Sequence, residues 1–478
     1  MSSLDLCYLS ATEALARFRD RSLSPVELMS ALIARAEAVE PRIHAFAHTH
    51  FARALEAARA AEARDAPGAR QPPRPLEGLA LGVKDLHQVA GEISTHGSDL
   101  LRDNRDEATQ ESVRRLLDAG AILLARTTTP EFGSATATWS PVWGTTHNPW
   151  NLDYNAGGSS GGAGAALAAG TVTLADGSDY GGSIRIPASC CGVVGYKPPH
   201  GRVPGDPMGS LDPCSHFGPM GRSVADVALM QNVMSGPDPR DLASLPERVV
   251  IPEHLEGVAG WRIAYSLDLG LFRLDPAVRQ NTLAALAAFE ALGCTVTPVD
   301  LGWTERCRHA YEAHHDAADA ASLLLLYRAC PELLTPVVRR GVARGLQVTS
   351  ARLFEVHQVR AEMYQTLGPV LADHDLFVCP TTAAPAVPAA RELDAPVLID
   401  GQPVSGHLGW VLTWPFNLLS ALPVLTVPSG RDPRTGVPTG VQLVARPHDD
   451  LRVFRAGAAL EAALGGPWYR RREDRPGV

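Results

Sequence analysis

The chain has 478 residues, 45% of them hydrophobic, 20% charged and 6% aromatic, and a formal net charge of −9. This is globular composition with enough length for a large core, and the lack of a dense basic block argues against nucleic acid or an anionic membrane as a partner. The first residues lack a basic start and an apolar signal core, no run approaches a membrane span, and the eight cysteines contain no Cys-x-x-Cys pair, so a reduced cytoplasmic setting without a zinc framework is expected.

In chain order, Ser24-Pro25-Val26-Glu27 reads as a helix start, with an N-cap serine, an early proline and a glutamate placed for a capping box. Leu28, Leu32, Ala36 and Val39 follow at helical spacing, and a second helical pattern covers 45–63. Residues 64–76, rich in Pro, Arg and Ala, read as a surface loop. Leu79–Val83 is a short apolar strand ending at Lys84-Asp85, residues 111–119 a helix, and Ala121–Ala125 a buried strand. Thr138–Asn155, with two prolines and several tryptophans, is predicted irregular. Ala163–Ala169 reads as a small-residue helix, Thr171–Ala175 and Val193–Tyr196 as strands, and Asp176–Asp179 as a tight turn.

After a linker-like stretch at 235–258, Arg262–Tyr265, a helix near 276–291 and Thr295–Val299 form a βαβ pattern. Residues 305–365 are mostly helical, Leu376–Val378 is a strand, and 383–406 a proline-rich loop. Leu425–Val427 and Gly440–Val444 are late strands, and 450–464 is the last helix. Arg471, Arg472 and Arg475 fall in a tail predicted to be disordered. No internal repeat is present. The pattern predicts one α/β/α domain over 1–478, with a mixed, mostly parallel sheet flanked by helices. Within it lie an N-terminal helical segment (1–63), a catalytic core (76–235) and a substrate-shaping helical region (305–365).

The chemistry concentrates in two glycine-rich nests, Gly157-Gly158-Ser159-Ser160-Gly161-Gly162 and Ser178-Asp179-Tyr180-Gly181-Gly182-Ser183-Ile184-Arg185. Glycines bare backbone N–H groups beside a serine, as acyl transfer requires. The first nest fits Gly-x-Ser-x-Gly around Ser160. A nucleophile elbow needs a strand directly before its serine, however, and Asn148–Asn155 is loop chemistry. Ser183 has the better context, because the amides of Tyr180, Gly181, Gly182 and Ser183 can converge on an oxyanion. A serine needs a base. Sixteen histidines are available, none with a telling spacing. The other candidate is Lys84, one of two lysines among 43 basic residues, the second being Lys197. A buried lysine can give up its proton where arginine cannot, whereas the ordinary reading of Lys84 is an ion pair with Asp85.

These segments, together with Gly82-Val83-Lys84-Asp85, Thr129-Pro130-Glu131-Phe132, Asn148-Pro149-Trp150, Gly195-Tyr196-Lys197-Pro198, Pro415-Phe416-Asn417 and Leu422-Pro423, resemble the amidase signature hydrolases, in order and over nearly the whole chain. The resemblance implies a Ser–cis-Ser–Lys triad. Ser183 would be the nucleophile, Ser159, after a cis Gly158–Ser159 peptide, the proton bridge, and Lys84 the base. It further implies an oxyanion hole of the Tyr180, Gly181 and Gly182 amides, bracing by an Asp179–Arg185 ion pair, and support from Ser160. Lys197 is read as structural. Two departures stand out: Tyr180 replaces an aliphatic residue, and Lys197-Pro198-Pro199 replaces Lys-Pro-Thr or Lys-Pro-Ser.

The expected activity is hydrolysis of small-molecule amides, including anilides, through an acyl-enzyme, with no cofactor and no metal. Rival readings are a carbamate (urethanase) or ester hydrolase, a glutamine-dependent amidotransferase A-type subunit, and a non-catalytic binding protein on the same fold. The sequence also allows a homodimer. His315 and Asp319, four apart on a predicted helix, read as a solvated face because no third metal ligand is suitably spaced. Trp139, Trp143, Trp150, Trp414 and Phe416 are read as core, with the resemblance also allowing a pocket wall.

Overall fold

The computed structural model describes residues 2–64, 72–205, 211–470 and 472–478, so most of the loop predicted at 64–76, and Arg471 of the tail, lie outside the described residues. The N-terminal segment forms α1 (Ser3–Cys7), α2 (Ala11–Asp20) and α3 (Pro25–Ile43). As predicted, Ser24 caps α3 by accepting from the Val26 and Glu27 amides, while Glu27 reaches back to the Ser24 N–H at 2.9 Å. The helix predicted at 45–63 is divided into strand β1 (Phe46–Thr49) and α4 (Phe51–Arg64). The reason is tertiary: Phe46–Thr49 pairs with the edge of a later strand at Ala125–Thr127, and this ladder overrides helical periodicity.

The next elements are β2 (Ala80–Lys84), α5 (Glu111–Asp118) and β3 (Ile122–Thr127). The stretch predicted irregular holds two small hairpins, Trp139–Ser140 with Gly144–Thr145 and His147–Asn148 with Asn151–Asn155. Helix α6 (Gly161–Ala169) is buried on every side. Its small residues are obligatory: a Cβ on Gly162 would lie 2.3 Å from the Thr128 amide nitrogen. Strand β4 (Leu174–Asp179) begins three residues later than predicted and absorbs the expected tight turn. Its alternate partner is a strand with no clear sequence signal, His216–Gly221.

Then come α7 (Arg185–Cys191), β5 (Val194–Lys197), that strand as β6, and α8 (Val224–Met234). The predicted βαβ unit is present as β7 (Arg262–Tyr265), α9 (Pro276–Ala291) and β8 (Thr295–Pro298). The helical region comprises α10 (Glu305–Ala329), α11 (Pro336–Gly345) and α12 (Ser350–Asp373). The chain closes with β9 (Leu376–Pro380), α13 (Pro415–Leu418), β10 (Val424–Arg431), β11 (Pro438–Val444) and α14 (Asp450–Ala463).

One eleven-stranded sheet collects these strands in the order β1-β3-β2-β4-β6-β5-β10-β11-β9-β7-β8. It is mixed and flanked by helices, as expected, but parallel pairing is confined to two blocks, β3-β2-β4 and β9-β7-β8. Every pairing between the blocks is antiparallel, which corrects the expectation of a mostly parallel sheet. Tyr196 and Leu425 are in register across one of these antiparallel pairs. Alternation separates the two faces. Leu376 and Val378 of β9 pack with α9 and α14, whereas Phe377 and Cys379 pack with α10 and α12. The tail is not loose, as Arg475 donates to Asp5 at 2.9 Å and its guanidinium lies 4.7 Å from the Tyr8 ring centroid. No helix among the described residues is long and apolar enough to cross a membrane.

Candidate active site

Lys84 ends β2 and is fully buried. Its Nζ lies 2.7 Å from Ser159 Oγ and 3.0 Å from Ser178 Oγ. Burial pushes the Lys84 ammonium down to about 7, against the opposing charges of Asp176 and Asp179. The ordinary reading, an ion pair with Asp85, is not what the structure contains: Asp85 accepts from the Thr95 amide at 3.1 Å and faces the Arg126 guanidinium at 4.0 Å.

Ser159 stands in the turn leading into α6, after a cis Gly158–Ser159 peptide. Asn155 and Thr138 hold that turn. The Asn155 Oδ1 accepts from the Thr138 and Gly157 amides at 2.9 and 3.0 Å, and the Thr138 hydroxyl donates to Gly157 O at 2.8 Å. Ser160 acts through its backbone, its N–H donating to Ser183 O at 3.1 Å and so tying the two nests together. Its hydroxyl reaches Ser178 O only at 3.5 Å.

Ser183 lies half-buried between β4 and α7, and the loop before it is held from several sides. Tyr311 from α10 donates to Tyr180 O at 3.3 Å, and Thr413 donates to Gly181 O at 2.5 Å. Both glycines are required by this close approach. A Cβ on Gly181 would meet Tyr311 Oη at 2.2 Å, and one on Gly182, where φ is +126°, would meet Thr413 Oγ1 at 2.0 Å. The Gly182 N–H donates to Asp179 Oδ1 at 2.9 Å. That amide is therefore engaged in bracing the loop, which narrows the expected oxyanion donors toward Tyr180, Gly181 and Ser183.

Asp179 and Arg185 form a fully buried two-point pair, Nε to Oδ2 at 2.9 Å and Nη2 to Oδ1 at 2.8 Å. Burial alone would raise the Asp179 carboxyl. The Arg185 charge and hydrogen bonds from Arg185 and Asn417 overcome it and hold the group well below the usual carboxylate range. Arg185 also donates to Thr413 O, Gln442 Oε1 and Asn417 Oδ1, at 2.9, 2.6 and 2.7 Å. Asp179→Asn leaves this guanidinium buried without its counter-charge, so the variant is expected to lose about 3–5 kcal/mol of stability, measured by urea unfolding. Because the folded carboxyl is depressed, its contribution is complete above about pH 4 and disappears as acid titrates the pair.

Tyr180, the departure from the usual aliphatic, is anchored by its ring. Its hydroxyl donates to Asp212 Oδ2 at 2.6 Å, and the ring stacks on His314 with centroids 6.0 Å apart. Asp212, Cys214 and His314 are the one group among the described residues with metal-like donor spacing, one atom each within 4.8 Å of one another. The protonation of His314 and Asp212 favours an ion pair. Burial opposes charging His314, but hydrogen bonds to Asp212 and Cys214 lift it to about 10, and Asp212 falls to about 2. A cation would have to displace that proton.

His315 and Asp319 are not a solvated face. They lie 3.6 Å apart, and the His315 ring contacts Tyr180, Tyr311 and His407, because α10 folds over the second nest. Trp143 donates to Thr95 Oγ1 at 3.0 Å, Trp150 donates to Cys191 O at 2.8 Å, and Trp139 is exposed. Trp414 and Phe416 are fully buried, and Trp414 lies on the wall of a cavity of about 210 Å³ with Phe272, Arg273 and Arg308. Lys197 Nζ donates to Leu422 O at 2.8 Å and to Pro198 O at 3.2 Å. Sequence reasoning does not reach Asp176, His87, Tyr311, Thr413 or Gln442. Asn417 does lie in a family motif, but no spacing signals that it faces Asp179.

Comparison with known proteins places the whole chain. The family model described as Amidase matches residues 27–454. The chain is 36% identical to an acylamidase of Rhodococcus erythropolis, over 98% of each sequence. It is 34% identical to the A-type subunit of the glutamyl-tRNA(Gln) amidotransferase of Chloroflexus aggregans, over 98% of this chain and 99% of that one. Among solved structures, a bacterial aryl acylamidase of the amidase signature family superposes with a TM-score of 0.91 at 29% identity, covering 98% of this chain and 99% of that one.

Proposed function

The chain belongs to the Amidase family, the amidase signature hydrolases, and from that premise we propose that it cleaves the carbon–nitrogen bond of small-molecule amides, aryl amides among them, through an acyl-enzyme on Ser183. The observation carrying this reading is the buried Lys84 amine, near-neutral at about 7 and 2.7 Å from Ser159 Oγ. Neutral Lys84 takes the Ser159 proton as Ser159 takes that of Ser183, and Ser183 Oγ bonds to the substrate carbonyl carbon. The carbonyl electron pair moves onto oxygen, where the Tyr180, Gly181 and Ser183 amides stabilise it. Ser159 then passes its proton to the leaving nitrogen as Lys84 returns one to Ser159, the C–N bond breaks and the amine departs. Water adds to the acyl-enzyme by the same relay in reverse, freeing the acid and restoring Ser183.

The substrate-shaping role of 305–365 has support in α10, whose Tyr311 and His315 contact the nucleophile loop. The aryl acylamidase likeness, TM-score 0.91 against 0.78 for the glutamyl-tRNA(Gln) amidotransferase A-type protein of Thermotoga maritima, supports an autonomous amidase. The purified chain is expected to hydrolyse an aryl anilide without glutamine or partner proteins, faster than it hydrolyses the matching carbamate. Turnover only with glutamine and partner subunits would establish the amidotransferase reading, and a faster carbamate would establish a urethanase.

A further inference from the structure

Asp176 lies two residues before Ser178 on β4, fully buried, and its two carboxylate oxygens face two different residues of the β2 segment. Oδ1 accepts from the Lys84 backbone N–H at 2.7 Å. Oδ2 meets His87 Nδ1 at 2.6 Å. His87 is itself buried, its ring set edge-on against Phe217 with centroids 5.4 Å apart, and its Nε2 has no partner. Among the described residues the imidazole thus has one polar contact, and it is spent on Asp176.

The charged surroundings separate this carboxylate from its neighbour. Asp179, on the same strand, is neutralised by Arg185 through two hydrogen bonds. From β3, Arg126 directs its Nη2 at the Lys84 and His87 carbonyls, at 3.2 and 2.5 Å, and not at Asp176. His96 faces His87 electrostatically and is kept neutral by burial, while Asp106 is occupied by Ser94 and the Val89 amide. Among the described residues, the Lys84 amine hydrogen-bonds to Ser159 and Ser178. Arg126 still feels Asp176 electrostatically, but Asp176 remains the foremost carboxylate charge acting on the Lys84 amine, ahead of the Arg185-paired Asp179.

We propose that Asp176, pinned by His87, is a positioning residue that sets how readily the Lys84 amine holds a proton. Burial pushes that amine down, toward a weaker base, and the carboxylates oppose it. The opposing carboxylates, Asp176 ahead of the Arg185-paired Asp179, hold it in the range in which a base can both take and return a proton. The inference rests on Lys84 serving as the base, yet it can be measured without turnover. The chain contains two lysines, Lys84 and Lys197, so lysine labelled with carbon-13 at Cε gives two side-chain signals. The Lys84 signal is assigned by its loss in Lys84→Arg.

In Asp176→Asn, which keeps an oxygen for the Lys84 amide, the Lys84 titration midpoint is expected to fall by about one pH unit while Lys197 is unchanged. Asp176→Leu, a second neutral replacement of similar size, is expected to shift it in the same direction. In Asp176→Asn the acid limb of kcat/KM should move down with the amine, and the plateau should drop roughly threefold because the base is weaker. Unchanged Lys84 midpoints in both variants would overturn the proposal. A shifted midpoint with an unmoved rate profile would uphold it and instead remove Lys84 from the role of base.

Discussion

Ser183→Ala is expected to lower kcat for an anilide at least about 10,000-fold while leaving the protein folded. The loss is large because no acyl-enzyme can form without Ser183 Oγ, so the remaining groups have nothing to activate. The fold survives because Ser183 is half-buried and its anchoring contact, the hydrogen bond from the Ser160 amide, uses the backbone carbonyl. Its unfolding free energy should stay within about 1 kcal/mol of the parent. Labelling by a serine-reactive phosphonate should disappear in the same variant. Ser159→Ala should also be severely impaired, and the double variant little worse than Ser183→Ala alone, because the residues act as one relay. A Ser183→Ala enzyme retaining a tenth of its activity would end the assignment of Ser183 as nucleophile, whereas failure of the phosphonate to label Ser183 in the parent would restore the non-catalytic reading.

Lys84→Arg is expected to cost about 1,000-fold or more in kcat/KM despite keeping the positive charge. A guanidinium does not deprotonate near neutrality, whereas burial brings the Lys84 ammonium to about 7. The parent should accordingly show an acid limb in kcat/KM near pH 7, reporting deprotonation of the free enzyme, and the residual activity of Lys84→Arg should lack it. Stability moves in the other direction. Lys84 is protonated in the unfolded chain up to about pH 10.4 but only up to about 7 when folded, so between those values the unfolded state holds more protons. Its burial therefore destabilises the fold at neutral pH, and that penalty fades as pH rises through the window. Lys84→Met should be inactive yet melt at a higher temperature at pH 7, with the gap closing toward pH 10. A Lys84→Met protein less stable than its parent at pH 7 would show that the hydrogen bonds to Ser159 and Ser178 outweigh desolvation.

Local chemistry explains which features are legible in the sequence. The Ser24 cap, the βαβ unit at 262–299 and the last helix depend on neighbours in sequence, and the structure reproduces them within a few residues. Strand β1 carries a helical pattern because its pairing partner lies about eighty residues away. Strand β6 escapes notice because His216–Gly221, with two glycines and a proline, has weak strand propensity; β4 and β5 on either side determine it. His315 and Asp319 read as solvent-facing because helical spacing does not say what covers a helix face.

By itself the sequence determined which groups could do the chemistry: serines in glycine nests, a rare lysine at the end of an apolar strand, and the order of motifs that marks the family. Only the tertiary structure decided how those groups are tuned. The distance from Lys84 to Ser159, the commitment of the Gly182 amide to Asp179, the covering of Tyr180 by α10 and the approach of Asp176 all depend on how the folded chain brings groups together. The physical reason is that hydrogen bonding and desolvation act through space over a few ångströms. Neither leaves a period or a spacing in the chain from which it could be read.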